Sequence, residues 1–450
     1  MMVTALRPKP GQPRQYRFPR FEDQKIANGV RILSAQVAKL PIVSVLVLID
    51  AGASKDPAGK EGIAALVASC LSEGTARYSG AELAEKFEQL GTSLESGADW
   101  DSALVKITVL AEKLEEAMQL VGEVLTNPAF PEREIERLKA ERLAEILQLR
   151  TEPRGLADEK FSEFLYSAHS RYAKPDEGTE DTVRALSRQD AITFYESNYR
   201  ASTMTVVVAG DVDHSTIVDV VSRTLSDVRS GSGDRSDVEI RPRFDTEQVH
   251  VVHKPDAPQS ELRVGHIGLP RRHPDFFPTL VMNAVLGGLF GSRINLNLRE
   301  EHGYTYGASS YYDWRRNAGP FAVSTAVQSD VTAAALREIM LEIDRIRSEP
   351  ITDSELSLAT DYLDGVFPIR YETTSAIAAA LANLVIYDLP RDYYDRYRQN
   401  IRTVSTESVL AAAKAHIHPD RMQVVVVGDA DIVRGPLTEL DIGPVQVYND

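Results

Sequence analysis

Apolar residues fall along the chain in two rhythms. Short continuous runs, VSVLVLIDAG around Val43 and LRVGHIGLP around Leu262, read as buried strands. Between Pro131 and Gln148 the period is helical: Ile135, Leu138, the Arg142–Leu143 step, Ile146 and Leu147 recur on one side. Pro131 suits a first helical turn, and Glu132 and Glu134 suit the positive end of the helix dipole. A second helix is predicted around Ala65. Ile63, Leu66, Val67, Cys70 and Leu71 form its apolar face, and Ala65, Ala68, Ser69 and Ser72 form a stripe of small residues that lets another helix pack closely.

The pattern repeats. MTVVVAGDVD at Met204–Asp213 returns as MQVVVVGDAD at Met422–Asp431, an offset of 218, each after a helix-like stretch. TNPAFPEREIERLKAERL from Thr126 parallels SEPITDSELSLATDYL from Ser348, an offset of 222. Two matches at nearly one offset predict two copies of a single unit. The junction lies in the Gly-, Ser- and charge-rich stretch Ser226–Phe244, giving units 1–228 and 246–450 joined by a linker at 229–245. Strands and long helices without strict alternation predict an α+β fold, each half an antiparallel sheet packed with helices.

Composition narrows the function. A net charge of −16 with no segregated basic patch makes nucleic acid a poor partner. The single cysteine, Cys70, permits no intrachain disulfide and fits a buried, inert thiol in a reducing compartment. The start of the chain, MMVTALRPKPGQPRQYRFPRF, has no apolar core of a signal peptide. Ile42–Ile49 is far short of the roughly 20 residues that span a bilayer, so no membrane segment and a cytoplasmic location are expected. P-loop, GxSxG and GxGxxG motifs are missing. The close histidine pairs, His250/His253 and His416/His418, have no carboxylate at metal-ligand spacing and read as surface or strand-end imidazoles.

One segment carries a resemblance. AGASKDPAGKEGIAALVASCLSEGT, Ala51–Thr75, is similar to the zinc-motif segment of insulinase/pitrilysin-type metallopeptidases. Active members of that family place an inverted motif, His-x-x-Glu-His, where this chain has Ala65, Ala68 and Ser69. Their third ligand is a Glu about 76 positions further on, where Glu145 stands. Alanine has no lone pair to offer and serine is a poor anionic ligand, so no metal is expected in this chain. Taken alone, Glu145 reads as a solvated or hydrogen-bonded helix residue.

The second half contains FGSRINLNLREEHGYTYGASSYYD, Phe290–Asp313, which resembles the family's C-terminal signature of an Arg followed seven residues later by a Tyr: Arg299 and Tyr306. The resemblance implies that this pair binds peptide and stabilises the transition state in a partner's zinc site, since guanidinium and phenol can donate to a developing oxyanion. Other readings stay open: Arg299 can pair with Glu300 or Glu301, and Tyr306 can pack with Tyr304, Tyr311 and Tyr312. Gly287–Gly291 is shorter than the glycine-rich loop of the mitochondrial processing peptidase α subunit, which points to a bacterial two-chain enzyme. The expectation is therefore a clamshell half that joins a homologous zinc-bearing subunit and a peptide substrate, with no cofactor of its own. A non-catalytic assembly subunit, like the core proteins of respiratory complexes, is the alternative.

Overall fold

The computed structural model describes residues 11, 15–231, 233 and 238–449. Most of the basic, proline-rich start of the chain and part of the 229–245 linker lie outside the described residues.

Two six-stranded sheets are built from corresponding segments. The first contains β1 (Glu22–Lys25), β2 (Arg31–Gln36), β3 (Ile42–Ile49), β4 (Glu95–Ala98), β5 (Ala103–Leu110) and β6 (Met204–Gly210), in the order β1-β2-β6-β3-β5-β4. The second contains β7 (Gln248–His253), β8 (Gln259–Ile267), β9 (Ala308–Tyr312), β10 (Pro320–Gln328), β11 (Gln423–Gly428) and β12 (Val445–Asn449), in the order β12-β7-β11-β8-β10-β9. The repeated VVV segments become β6 and β11, inserted between β2 and β3 in the first sheet and between β7 and β8 in the second. Both are buried along their whole length. The two segments related by the 222-residue offset each lead into a long helix, Glu132–Thr151 and Asp353–Arg370.

Three details differ from the sequence reading. The sheets are mixed rather than wholly antiparallel. β6 runs parallel to β2, and β11 runs parallel to β7, because each returns from a helical crossover into the middle of its sheet. The halves also differ at the outer edge. β1, from the start of the chain, pairs antiparallel with β2, whereas β12, from its end, pairs parallel with β7. Pro131 caps the Glu132–Thr151 helix from extended geometry instead of occupying its first turn.

Strand alternation explains how the halves hold together. On β3, Val43, Val45, Val47 and Ile49 pack with the helices of their own half. Leu46 and Leu48 on the opposite face join the core of the second half, as do Val207 and Ala209 of β6. The helix that covers this face is Thr374–Ile386, from the second half. Reciprocally, the helix Pro153–Leu165 of the first half lies on β8 and β11, where Leu156, Ala157, Phe161 and Phe164 pack with Val425 and Val427. Each sheet is thus completed by a helix of the other half, and the two exchanged helices occupy equivalent places in the repeat. Polar contacts follow the same seam. Ser44 bonds Thr374 at 2.9 Å, and Arg316 reaches Asp50 at 2.9 Å while its backbone N–H donates to Asp101 at 2.8 Å. No helix among the described residues is long and apolar enough to cross a membrane.

Candidate functional site: a cleft around Arg142 and an exposed Arg/Tyr segment

The predicted helix around Ala65 spans Ile63–Cys70 and packs against the Glu132–Thr151 helix. It starts abruptly at Gly62, which holds φ of 96° and sits 2.6 Å, at its absent Cβ, from the carbonyl of Glu177. Only glycine tolerates both constraints. Asp56 caps this start: its carboxylate accepts from the amides of Gly62 and Ala64 and pairs with Arg171 at 2.8 Å. Burial outweighs these bonds and pushes the Asp56 carboxyl up to about 6.

The fold brings Ala65, Ser69 and Glu145 to one cleft, together with Lys139, Arg142 and Glu177. Ala68 does not join them; it is fully buried in the core. Arg142 extends into the cleft, 3.3 Å from the Glu145 carboxylate and 2.5 Å from that of Glu177. Burial raises the Glu177 carboxyl despite the guanidinium beside it. Family chemistry implies a zinc ion here, and the residues present do not fit one. Ala65 and Ser69 offer a methyl group and a hydroxyl, and the Glu145 carboxylate already faces a guanidinium that would repel a divalent cation. The sequence analysis missed Arg142 and Glu177 as parts of this cleft. The spacing of Arg142 and Glu145, three apart on a helix, was the available signal for the first; Glu177 comes from a distant loop and left none.

Cys70 lies on the core side of the same helix, and burial drives its thiol up to about 12. His250 departs from expectation. It is fully buried within β7, stacked on Phe164, and burial holds it near 4, because the exchanged helix covers this face.

In the second half, Arg299 lies in a wide-pitched helical stretch, Leu296–Glu301, and Tyr306 in the loop leading to β9. Arg299 is about one-third exposed; its guanidinium sits 4.6 Å above the Phe290 ring and 3.4 Å from Glu300. Tyr306 is 94% exposed and makes no hydrogen bond or ring contact to a described residue. It does not pack with its aromatic neighbours: Tyr312 is buried against Trp314 and Phe321, and Tyr304 stacks on His302. The scaffold beneath the segment is firm. Arg293 forms a two-pronged pair with Glu355 at 2.6 and 3.0 Å. Burial would raise Glu355, but the bonds from Arg293 and Thr352 outweigh it and bring the carboxyl down to about 2. Asn295 braces the loop, accepting from the Ala308 amide and donating to the Phe290 carbonyl.

Two equivalent halves, each a six-stranded sheet completed by a helix of the other, define a two-domain α+β chain. Residues 31–175 match the family model described as insulinase (peptidase family M16), and residues 185–363 match that of the peptidase M16 inactive domain. The chain belongs to the M16 family. Among its relatives, an uncharacterized zinc protease of Rickettsia felis is 24% identical over 76% of this chain and 82% of its own. The non-peptidase homolog YmxG of Helicobacter pylori is 23% identical over 87% and 90%. A probable mitochondrial-processing peptidase subunit beta of Schizosaccharomyces pombe is 24% identical over 60% and 59%. A solved peptidase M16 inactive domain from Pseudomonas fluorescens superposes with a TM-score of 0.86 at 25% identity, covering 91% of this chain and 98% of that one.

Proposed function

We propose that this chain is the non-zinc subunit of a heterodimeric zinc metalloendopeptidase. It binds extended peptide, and it stabilises the transition state at a metal held by a homologous partner carrying His-x-x-Glu-His. The observation that carries this reading is Tyr306: a large aromatic side chain left in solvent on a braced loop, beside an accessible guanidinium at Arg299. A side chain so exposed contributes nothing to folding, whereas its hydroxyl suits an oxyanion formed in a partner's site. The kinship to a mitochondrial-processing peptidase subunit supports a paired arrangement. On this reading, units 1–228 and 246–450 form one shell of the enclosure, the 229–245 linker joins them, and the assembly works in the cytoplasm.

A second reading, a non-catalytic assembly subunit, is favoured by one observation: Arg299 already has partners in Phe290 and Glu300. Co-expression with a zinc-motif homologue separates the two. The enzyme reading expects peptide hydrolysis by the pair, falling about 10²–10³-fold with Arg299→Ala or Tyr306→Phe. Hydrolysis indifferent to both substitutions, with the complex intact, assigns the chain to assembly.

A further inference from the structure

The fold gathers a set of metal-type ligands in the second half, on elements that do not line the cleft. His273 and Asp275 stand just before the helix Phe276–Asn283, and His416 ends the helix Thr406–His416. These helices pack together, and one ligand atom from each of the three side chains lies within 4.8 Å of the others. His416 Nε2 is 2.7 Å from Asp275 Oδ2, His273 Nδ1 accepts from the Asp275 amide at 3.1 Å, and the two imidazoles meet edge to face at 4.9 Å.

Other histidines are committed differently. His214, His250 and His266 have both ring nitrogens engaged by neighbouring polar groups. His416 contacts the Asp275 carboxylate, and His273 has a ring nitrogen within 4.8 Å of both. The Asp275 side chain is half exposed, so a cation has an open approach.

We propose that His273, Asp275 and His416 bind one divalent transition-metal cation of the Zn²⁺ class, independently of the cleft at Ala65 and Ser69. Two imidazoles and a carboxylate are a ligand set that such ions accept, with a further position left for water. Ligand atoms about 2 Å from a tetrahedral zinc stand roughly 3.3 Å apart. The pair at 2.7 Å must open slightly and His273 must close in, adjustments within reach of side-chain torsions on partly exposed residues. On binding, the proton of His416 shifts from Nε2 to Nδ1, and His273 gives up its bond from the Asp275 amide for the metal. The bound ion would staple the two helices.

The test is titration of the chelator-treated full chain with Co²⁺, read by visible absorption, and with Zn²⁺, read by equilibrium dialysis and thermal melting. The expected result is one equivalent bound with a raised melting temperature. Affinity should fall at least about 10-fold in His273→Ala and in His416→Gln, the latter keeping a polar contact to Asp275 so that the fold is preserved. Glu145→Gln should leave uptake unchanged. No uptake at micromolar metal, or uptake indifferent to the histidine substitutions, overturns the proposal. Uptake that depends on Glu145 overturns it too, and also contradicts the reading of the cleft as zinc-less, whereas failure at His273 and His416 alone leaves that reading intact.

Discussion

Arg142 stands 3.3 Å from Glu145, so this cleft carboxylate is paired with a guanidinium of the same helix. The guanidinium also holds Glu177, from the loop that packs on the start of the Ile63–Cys70 helix. The positive charge facing both cleft carboxylates is thus supplied by the chain itself.

Restoring the ligands alone should then fail. Ala65→His with Ser69→His, in a His416→Gln background, is expected to bind zinc weakly. Adding Arg142→Leu should tighten binding about 10-fold or more by removing a competing cation, as read by calorimetry. Ala68→Glu, the general-base position, should destabilise the protein, because that side chain would enter the core with no partner.

The exchanged helices predict that neither half is stable alone. Residues 1–228 expressed separately would expose the face of β3 and β6 carrying Leu46, Leu48, Val207 and Ala209. The expected outcome is aggregation or strong binding of a hydrophobic dye. In the full chain, Phe161→Ala, on the helix that crosses to the second sheet, should cost about 3–5 kcal/mol in denaturant unfolding.

Glu355 gives a pH signature. Its folded carboxyl lies near 2, below its ordinary value, so its pairing with Arg293 stabilises the protein above the unfolded value of 4.5. That contribution is lost as pH falls from 4.5 towards 2. Glu355→Gln should cost roughly 1–2 kcal/mol at pH 7, after allowance for solvent screening. The difference from wild type should vanish near pH 2, as measured by chemical unfolding across that range.

Cys70, with its thiol near 12 and no exposed surface, should resist disulfide reagents in the native state and react only on unfolding. Tyr306→Phe should leave stability within about 0.5 kcal/mol of wild type, so any loss of activity in the paired enzyme is chemical rather than structural.

The chain's two-copy construction and its strand and helix segments were legible without coordinates. Each rests on local information: a repeated string, a period of two or 3.6. What lay beyond reach depended on the meeting of distant segments. Alternation in β3 shows that both faces are apolar, but not that one is covered by residues 374–386. The direction of β6 and β11, the burial of His250, the exposure of Tyr306, the arrival of Glu177 beside Arg142, and the convergence of His416 on His273 and Asp275 were settled only by tertiary packing. The physical reason is that burial and charge pairing are properties of the assembled sheets and helices, and a residue's partners across more than a hundred positions leave no periodic trace in the chain.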